Sequence, residues 1–333
     1  MSTVRSLFLV GCLVAVAVGA HAQIRMRISL ENSVDHVQVR SVRRFADALS
    51  AKTAGQMTVE VYTDARLFRD RDVVAALLQG RVEMAVPGTW QLDRFEPAVG
   101  ALLLPAFFGR ESEYVHTLLD RGLGAEIDRR LAHSTGLVVL GRWIGLGAAH
   151  LFTIDRPLSR HDQVHGLTIR YAGGVANRMR LQALGATPVL IAWPDLQQRL
   201  DDRAIDGVLT TFETVASARL WERGIRYVLA DSQHFSHYVP LVSPQFWARL
   251  PEDLRSVIAT TWDEHVDEAR ADAAASQARA RRTLEANGVI VVDPDSDGIG
   301  RWRARLMADQ PSMIEALDLD RSFVGMLSVP RGE

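Results

Sequence analysis

Residues 26–62 alternate two short apolar runs with a helical pattern, and this stretch decides the fold class. It reads "MRISLE" (26–31), then "VRSVRRFADALSAKT" (39–53), then "MTVEVY" (57–62). The outer runs are short and rich in β-branched residues, which is typical of strands. In the middle run, apolar residues recur at the spacing of one helical face: Val39, Val42, Phe45, Ala46 and Leu49. The stretch therefore predicts a β-α-β unit.

The same alternation continues for two more elements. "DRDVVAALLQG" (70–80) predicts a helix that ends at its glycine, and "VEMAV" (82–86) predicts a third strand. A β-α-β-α-β opening predicts a parallel, twisted sheet with helices on both faces.

The second half of the chain repeats the alternation and predicts a second α/β lobe. Its elements are "GLVVLG" (136–141), "LTIR" (167–170), a helix from about Ala176 to Leu184, "TPVLI" (187–191), a helix after Pro194, and "AIDGVLTT" (204–211). Two lobes are also what 333 residues favour, because one hydrophobic core rarely supports so long a chain.

The last third of the chain predicts connections between the lobes. "YVLAD" (227–231) and "YVPLVS" (238–243) are predicted as strands that return to the first lobe. From Pro251 to about Asn287 an amphipathic pattern runs without a strong breaker. At ~1.5 Å rise per residue this helix would span roughly 50 Å, which is enough to brace both lobes.

Residues 1–22 have the pattern of a secretory leader. Arg5 supplies the positive start, an apolar stretch follows, and "AHA" at Ala20 to Ala22 is a small-residue cleavage site. We expect the mature protein to begin near Gln23 and to be periplasmic. The alternative is a lipid-modified Cys12 after "LVG", but this site comes too early, with most of the apolar stretch still to follow.

The composition of the chain argues against several kinds of binding partner and against cysteine-based chemistry. With 47% hydrophobic residues, 23% charged residues and a net charge of -2, nothing favours nucleic acid or an anionic membrane as partner. Cys12 is the sole cysteine, so a chain cleaved after residue 22 has no disulfide and no cysteine-based metal site. No segment after the leader reaches the ~18 apolar residues of a membrane helix, so no membrane insertion is expected.

Catalytic signatures are missing. "GLGAAH" (145–150) begins like a dinucleotide-binding loop, but His150 replaces the third glycine. There is no G-x-S-x-G, H-E-x-x-H or phosphate-binding loop. His161 and His165 are helically spaced, yet they lie in a polar connection and are interpreted as solvated. We predict no catalytic residue, metal or cofactor, although a triad assembled from distant residues stays open.

Arg170 is the most unusual residue of the second half. In "GLTIRYAGG" (166–174) it closes an apolar strand just before a tyrosine and two glycines. A guanidinium at the inner end of a strand is unfavourable unless an anion meets it. The anion can be a ligand carboxylate or a structural Asp or Glu, and the sequence leaves both possibilities open.

Six landmarks in order and spacing give the chain a family resemblance. They are "RFADALSAKTAGQMTVEVY" (44–62), "LFRDRDVVAALLQGRVEMAV" (67–86), "LPAFF" (104–108), "GLTIR" (166–170), "LQALGATPV" (181–189) and "AIDGVLTT" (204–211). With them the chain resembles the DctP-type extracytoplasmic solute-binding subunits of TRAP transporters. The resemblance implies a two-lobe α/β clamshell with mixed sheets and a long helix bracing both lobes. It divides the chain into lobe I (23–146 and about 236–275) and lobe II (147–235 and about 276–333).

The resemblance also implies a function. The protein would capture a small organic acid in the periplasm and deliver it to TRAP permease subunits, without catalysis. Two alternatives stay open: a periplasmic ligand sensor, and an exported α/β enzyme that acts on an organic acid.

Three candidate ligand-binding residues follow from the resemblance in the second lobe. Arg170 matches the arginine that makes a two-pronged salt bridge with the ligand carboxylate. Trp193 matches an aromatic residue that lines the cleft, and Thr210 matches a polar residue that faces it. Because "VLTT" lacks the acidic residue with which some relatives hold a metal ion, a metal-assisted site is not expected.

Four further candidates lie in the first lobe. Thr89, Trp90 and Gln91 follow the third strand and Glu31 ends the first, so all four fall at the carboxyl edge where open α/β sheets bind ligands. The alternative for each of them, as for Trp193, is a place in the core or on the surface.

One departure from the family pattern bears on the ligand. Many relatives have an arginine in a "G-F-R-H" run, where this chain has "GAAH" with Ala149. Without that second cation, we predict a monocarboxylate with an apolar, aromatic or lightly polar body.

Overall fold

The chain folds into two β-sheets flanked by helices, in a computed structural model that describes residues 23–327. Its strands are β1 Ile24–Ser29, β2 Met57–Tyr62, β3 Met84–Ala85, β4 Val138–Val139, β5 Ile144–Thr153, β6 Thr168–Tyr171, β7 Thr187–Leu190, β8 Gly207–Thr211, β9 Tyr227–Tyr238, β10 Leu241–Val242 and β11 Ile290–Val292. Its α-helices are α1 Val37–Lys52, α2 Val73–Leu78, α3 Ser112–Leu118, α4 Gly124–Thr135, α5 Val175–Ala183, α6 Leu196–Asp201, α7 Phe212–Ser217, α8 Pro244–Arg249, α9 Glu252–Ala286, α10 Ser296–Ala316 and α11 Arg321–Gly325.

The first sheet has the strand order β2-β1-β3-β10-β4. As predicted, β1 pairs in parallel with β2 and β3, and α1 buries the apolar face identified from its spacing. β10 pairs antiparallel with both β3 and β4, which makes the sheet mixed. The assignment of "GLVVLG" to the second lobe is wrong, because its strand β4 hydrogen-bonds to β10 in the first sheet.

The second sheet has the order β11-β9-β5-β8-β6-β7. "GLGAAH" lies within β5, which pairs antiparallel with β8 and β9, so it is a strand and not a nucleotide-binding loop. "YVLAD" does not return to the first lobe: it begins the twelve-residue strand β9 of this second sheet, and only β10 returns. Side chains from alternate positions pack into two cores, one on each face of the sheet.

The long helix is present as predicted and joins the two halves of the molecule. α9 has 35 residues, and at ~1.5 Å rise per residue it is roughly 52 Å long. Its first half contributes Leu254, Ile258 and Trp262 to the core of the first sheet. Near its end, Ala280 and Leu284 pack into a core of the second sheet. One rigid element therefore braces both halves.

The sequence also led to predictions about a leader, about membrane-spanning helices and about the lobe boundaries. The leader (residues 1–22), with its cleavage site after Ala22 and the alternative lipid site at Cys12, lies outside the described residues. Within residues 23–327, no helix combines the length and the apolar character needed to cross a membrane. The proposed lobe boundaries stay a prediction.

Candidate ligand-binding cleft

A cavity of about 510 Å³, including the part open to solvent, lies between the two sheets. Its walls come from both halves of the molecule, as in many small-molecule sites. Five of the predicted residues line it: Glu31, Trp90, Arg170, Trp193 and Thr210. Among residues 23–327, its lining does not include Thr89 or Gln91, which lie behind the wall.

Arg170 projects from β6 and is 3% exposed. Its Nε donates to the backbone oxygen of Ile191 at 3.0 Å. No carboxylate of the described residues lies within 4.0 Å of its guanidinium nitrogens. Burial lowers the pKa of Arg170 to about 10, an effect that the more distant Asp70 and Glu31 oppose, so the group is charged at neutral pH. The structure thus provides no direct structural ion pair for this cation.

Two carboxyl groups share the cavity with Arg170. The Asp70 side chain is 3% exposed, and its Oδ2 accepts from the backbone nitrogen of Trp193 at 3.1 Å and from Nε2 of Gln91 at 3.4 Å. Its Oδ1 has no hydrogen-bond partner among the described residues. Burial and the Asp70 charge raise the pKa of Glu31 to about 8 against the opposing effect of Arg170, so Glu31 is largely uncharged at pH 7.

Aromatic and hydroxyl groups complete the wall. Trp90 packs edge-on against Tyr238 at 5.4 Å between ring centres, and its Nε1 has no partner within residues 23–327. The Tyr238 hydroxyl accepts from Nδ2 of Asn32 at 2.7 Å. Trp193 and Thr210 are half-buried at the cavity, so Trp193 is not an ordinary core residue.

Hydrogen bonds cross the cleft and hold it closed. The Asp70–Trp193 bond is one, and Gln91 Nε2 adds another by donating to the oxygen of Ala172 at 3.1 Å. Three more pairs lie across the same boundary: Asp93 with the backbone of Val175 (2.6 Å), Arg69 with Asp195 (2.5 Å), and Arg180 with the backbone oxygen of Leu103. Gln91 therefore contributes to closure and to the position of the Asp70 side chain. Thr89 is fully buried, and its hydroxyl has no hydrogen-bond partner in the part of the chain that the structure describes.

The glycines after Arg170 permit this close approach. A Cβ atom at Gly173 would lie 2.3 Å from the backbone oxygen of Trp90, far inside contact distance. The pair of glycines that follows "LTIRYA" thus lets one half of the molecule touch the backbone of the other.

A second buried cation, Arg180 on α5, was not predicted from the sequence. Its Nε donates to Oε1 of Gln233 at 2.8 Å, and its Nη2 donates to Oδ1 of Asn177 at 2.6 Å. Burial lowers the pKa of Arg180 to about 10. Its neighbours Asn177 and His234 line the cavity, so Arg180 orients cavity residues from behind. The only sequence signal was an arginine on the inward face of a short amphipathic helix.

The interpretation of His161 as solvated is wrong. His161 is 1% exposed, and its Nε2 lies 3.0 Å from Oδ2 of Asp231. Its ring packs against Phe108 and Trp302. The polar connection that contains His161 therefore lies against α10, which contains Trp302, and against the loop that contains Phe108. His165, in contrast, is exposed. Within the described residues, no group of three or more His, Cys, Asp or Glu side chains is placed to hold a metal ion.

Comparison with known proteins identifies the family. Residues 28–315 match the bacterial extracellular solute-binding proteins, family 7. The chain belongs to this family. The resemblance to DctP-type subunits of TRAP transporters is therefore confirmed, and the family consists of binding proteins, so the exported-enzyme alternative is set aside.

Individual relatives are distant in sequence but similar in fold. The chain is 24% identical over 253 residues to the C4-dicarboxylate-binding periplasmic protein DctP of Rhodobacter capsulatus, covering 75% of this chain and 74% of that one. The sugar acid binding protein DctPAm of Advenella mimigardefordensis, in complex with galactonate, superposes with a TM-score of 0.86 at 19% identity, over 91% of this chain and 96% of the other. A TRAP periplasmic solute-binding protein of Sulfurospirillum deleyianum with bound succinate gives 0.83 at 18% identity, over 92% and 98%. These structures confirm the predicted two-sheet α/β fold.

Proposed function

We propose that this solute-binding protein captures a small monocarboxylate between its two halves, with Arg170 holding the ligand carboxylate. One observation carries the proposal: the Arg170 guanidinium is 3% exposed, charged and without a contacting carboxylate among residues 23–327, and it faces a cavity. A buried charge without a counter-ion costs several kcal/mol. A ligand carboxylate matches the planar guanidinium with two parallel hydrogen bonds and offsets that cost.

Closure couples binding to a change of shape. The cavity wall combines residues of the two halves, so a ligand contacts all of them only in the closed form. A ligand that binds one form better shifts the population toward that form. Hinge closure around a ligand is the motion we infer, with α9 and the chain segments that connect the two sheets limiting its direction.

The charges of the cavity favour one carboxylate over two. Ala149 lines the cavity where many relatives have a second arginine, and it supplies no charge. A second ligand carboxylate would lie near Glu31 and Asp70 instead. Like charges in a buried site repel strongly, which disfavours a dicarboxylate.

The proposal includes export and delivery. The leader pattern of residues 1–22 and the periplasmic relatives support a periplasmic protein that starts at Gln23 and delivers its ligand to TRAP permease subunits. An intact mass that corresponds to a lipid-modified chain starting at Cys12 would contradict this cleavage. Uptake by vesicles that contain the permease distinguishes transport from a sensory role, in which ligand binds but is not taken up.

A thermal-shift screen tests the ligand class. The protein from Gln23 onward is melted with monocarboxylates and dicarboxylates of matched carbon number. Ligand at a hundred times its dissociation constant stabilises the fold by ~2.7 kcal/mol. We expect stabilisation by monocarboxylates, recovery of the ligand unchanged after long incubation, and weaker effects of dicarboxylates. No stabilisation by any carboxylate would refute the proposal.

A further inference from the structure

Five ionisable groups line the cavity: Arg170, Glu31, Asp70, His234 and Tyr238. Burial, reinforced by the Arg180 charge, holds the pKa of His234 well below its usual range. Burial and the nearby Glu31 hold the pKa of Tyr238 well above its usual range. Both groups are therefore uncharged at neutral pH, which leaves one cation and two carboxyl groups facing the ligand.

Neither carboxyl group has a cation of the protein in contact with it. No Lys, Arg or His nitrogen of residues 23–327 lies within 4.0 Å of the carboxyl oxygens of Asp70 or Glu31. Asp70 is 97% buried, since 3% of it is exposed, and only its Oδ2 is hydrogen-bonded, by two uncharged N–H groups. Its Oδ1 has no hydrogen-bond partner within residues 23–327. Glu31 makes no side-chain hydrogen bond with the described residues, and it lines the cavity beside Asp70.

A ligand that carries a cationic group as well as a carboxylate would match the charged groups of this cavity. We propose that Asp70 and Glu31 form a subsite for a ligand ammonium group, so that the protein binds a zwitterion of the amino-acid type. This inference rests on the proposed function, because it takes the ligand carboxylate to be held by Arg170. Asp70 and Glu31 are then specificity-determining residues of the site.

An ammonium group satisfies the subsite better than a hydroxyl group does. A hydroxyl has one hydrogen to donate, whereas an ammonium has three, enough for Asp70 Oδ1 and for Glu31 together. An ammonium also brings the counter-charge that buried carboxylates need, and charge-assisted hydrogen bonds are roughly twice as strong as neutral ones. A zwitterion adds no net charge to the closed cavity, whereas a simple monocarboxylate adds one negative charge beside Asp70.

Matched ligand sets test the inference on the unaltered protein. The sets are alanine, leucine and phenylalanine, each titrated beside its 2-hydroxy analogue and its unsubstituted acid, by calorimetry at pH 7. We expect the amino acid of at least one set to bind about tenfold or more tightly than both analogues. In buffers of different ionisation enthalpy, amino-acid binding should also release protons, because the ammonium favours ionised Glu31.

Two variants test whether Asp70 causes the preference for the amino acid. Asp70→Asn keeps the shape of the side chain and removes its charge, so it should lower the affinity for the amino acid about tenfold or more relative to the hydroxy analogue and abolish the preference between them. The matched control is Asp72→Asn, which neutralises an exposed carboxylate two residues away and should change neither affinity.

Each other result counts against the inference. If carboxylates bind without preference for the amino acid, the ammonium subsite is wrong and the proposed function stands. If no member of any set binds but the thermal-shift screen finds another carboxylate ligand, the ammonium subsite is wrong and the proposed function stands; if no carboxylate of the screen binds either, both fail. If Asp70→Asn does not fold, the ligand series on the unaltered protein decides alone. If Asp70→Asn and Asp72→Asn lower all affinities alike, Asp70 does not determine specificity.

Discussion

At the scale of single residues, the site combines buried charged groups that have no direct ion-pair partner within 4.0 Å among residues 23–327. Among residues 23–327, Arg170 at its strand end makes one hydrogen bond, to a backbone oxygen, and Oδ1 of Asp70 has no hydrogen-bond partner. A buried charged group lowers the stability of the folded protein unless a hydrogen-bonding or oppositely charged group pairs with it. Because both groups line one cavity, a bound ligand can pair with both of them.

Replacing Arg170 tests its role directly. In Arg170→Ala the ligand carboxylate is buried without a partner, which costs roughly 2 to 5 kcal/mol by analogy with buried charge pairs. At ~1.4 kcal/mol per tenfold, the affinity should fall by more than about twentyfold. Arg170→Lys should restore only part of it, since an ammonium lacks the planar fork. Calorimetric titration with the best ligand of the screen measures both.

Exposed Arg178 on α5 offers the control. Arg178→Ala removes a cation from the same half of the molecule and should leave affinity unchanged. If Arg170→Ala instead lowered the melting temperature of the ligand-free protein while keeping wild-type affinity, Arg170 would be a structural residue only.

The sequence was informative about some site residues and silent about others. Arg170 stood out because a cation at the end of an apolar strand needs an explanation. Asp70 did not, because acidic residues in a polar turn such as "FRDRD" are usually exposed. Asp70 is buried only because Trp193, 123 residues away, meets it from the other half of the molecule. A local pattern cannot contain such a contact.

At the scale of elements, long periodic segments were predictable, whereas the pairing partners of short strands were not. α9 repeats its apolar positions over 35 residues, so its extent was predicted closely. β4 and β10 have two residues each, and their pairing depends on distant partners. Of β9, residues 232–237 were not predicted as strand because they are largely polar, yet most of these side chains are buried and some are hydrogen-bonded, as Gln233 is to Arg180.

The turn after β6 makes a testable contribution to closure. Gly173→Ala places a methyl group against the backbone oxygen of Trp90, which cannot move aside as a flexible side chain can. The clash lies across the cleft, so it should weaken ligand binding by about tenfold or more and change the melting temperature of the ligand-free protein less. Calorimetry and melting curves measure the two effects.

A glycine in open surroundings serves for comparison. Nothing lies within 4 Å of a Cβ atom built at Gly300, which is inside helix α10. Gly300→Ala should bind ligand normally and be slightly more stable, because alanine favours helices. Wild-type affinity in Gly173→Ala would show that the closed cleft is not the binding form.

At the scale of the whole molecule, buried histidines set the response to acid. Burial lowers the pKa of His36 to about 3 and, as the main cause, the pKa of His116 and His150 to about 4. The pKa of His234 and of His237 also lies well below the usual range because of burial. Between about pH 4 and pH 6.5 these histidines bind more protons in the unfolded chain than in the folded protein, so their contribution to stability falls as the pH falls through this window.

His36 allows the contribution of one histidine to be separated. Its Nδ1 accepts from the backbone nitrogen of Gln38 at the start of α1, and asparagine is a good substitute at this capping position. His36→Asn should reduce the loss of melting temperature between pH 6.5 and pH 4, while His133→Asn, at an exposed site, should not. Equal slopes in all three proteins would mean that His36 titrates alike when folded and unfolded.

The order of strands in the first sheet has a consequence for biogenesis. β10 lies between β3 and β4, although it is encoded about a hundred residues after β4, and α9 packs against the first core from still later in the chain. Neither the sheet nor its core can be completed until most of the polypeptide has been synthesised. Contacts between distant segments also slow folding. The export proposed above would gain from this order, because the amino-terminal part of the chain stays incompletely folded until the later segments are available.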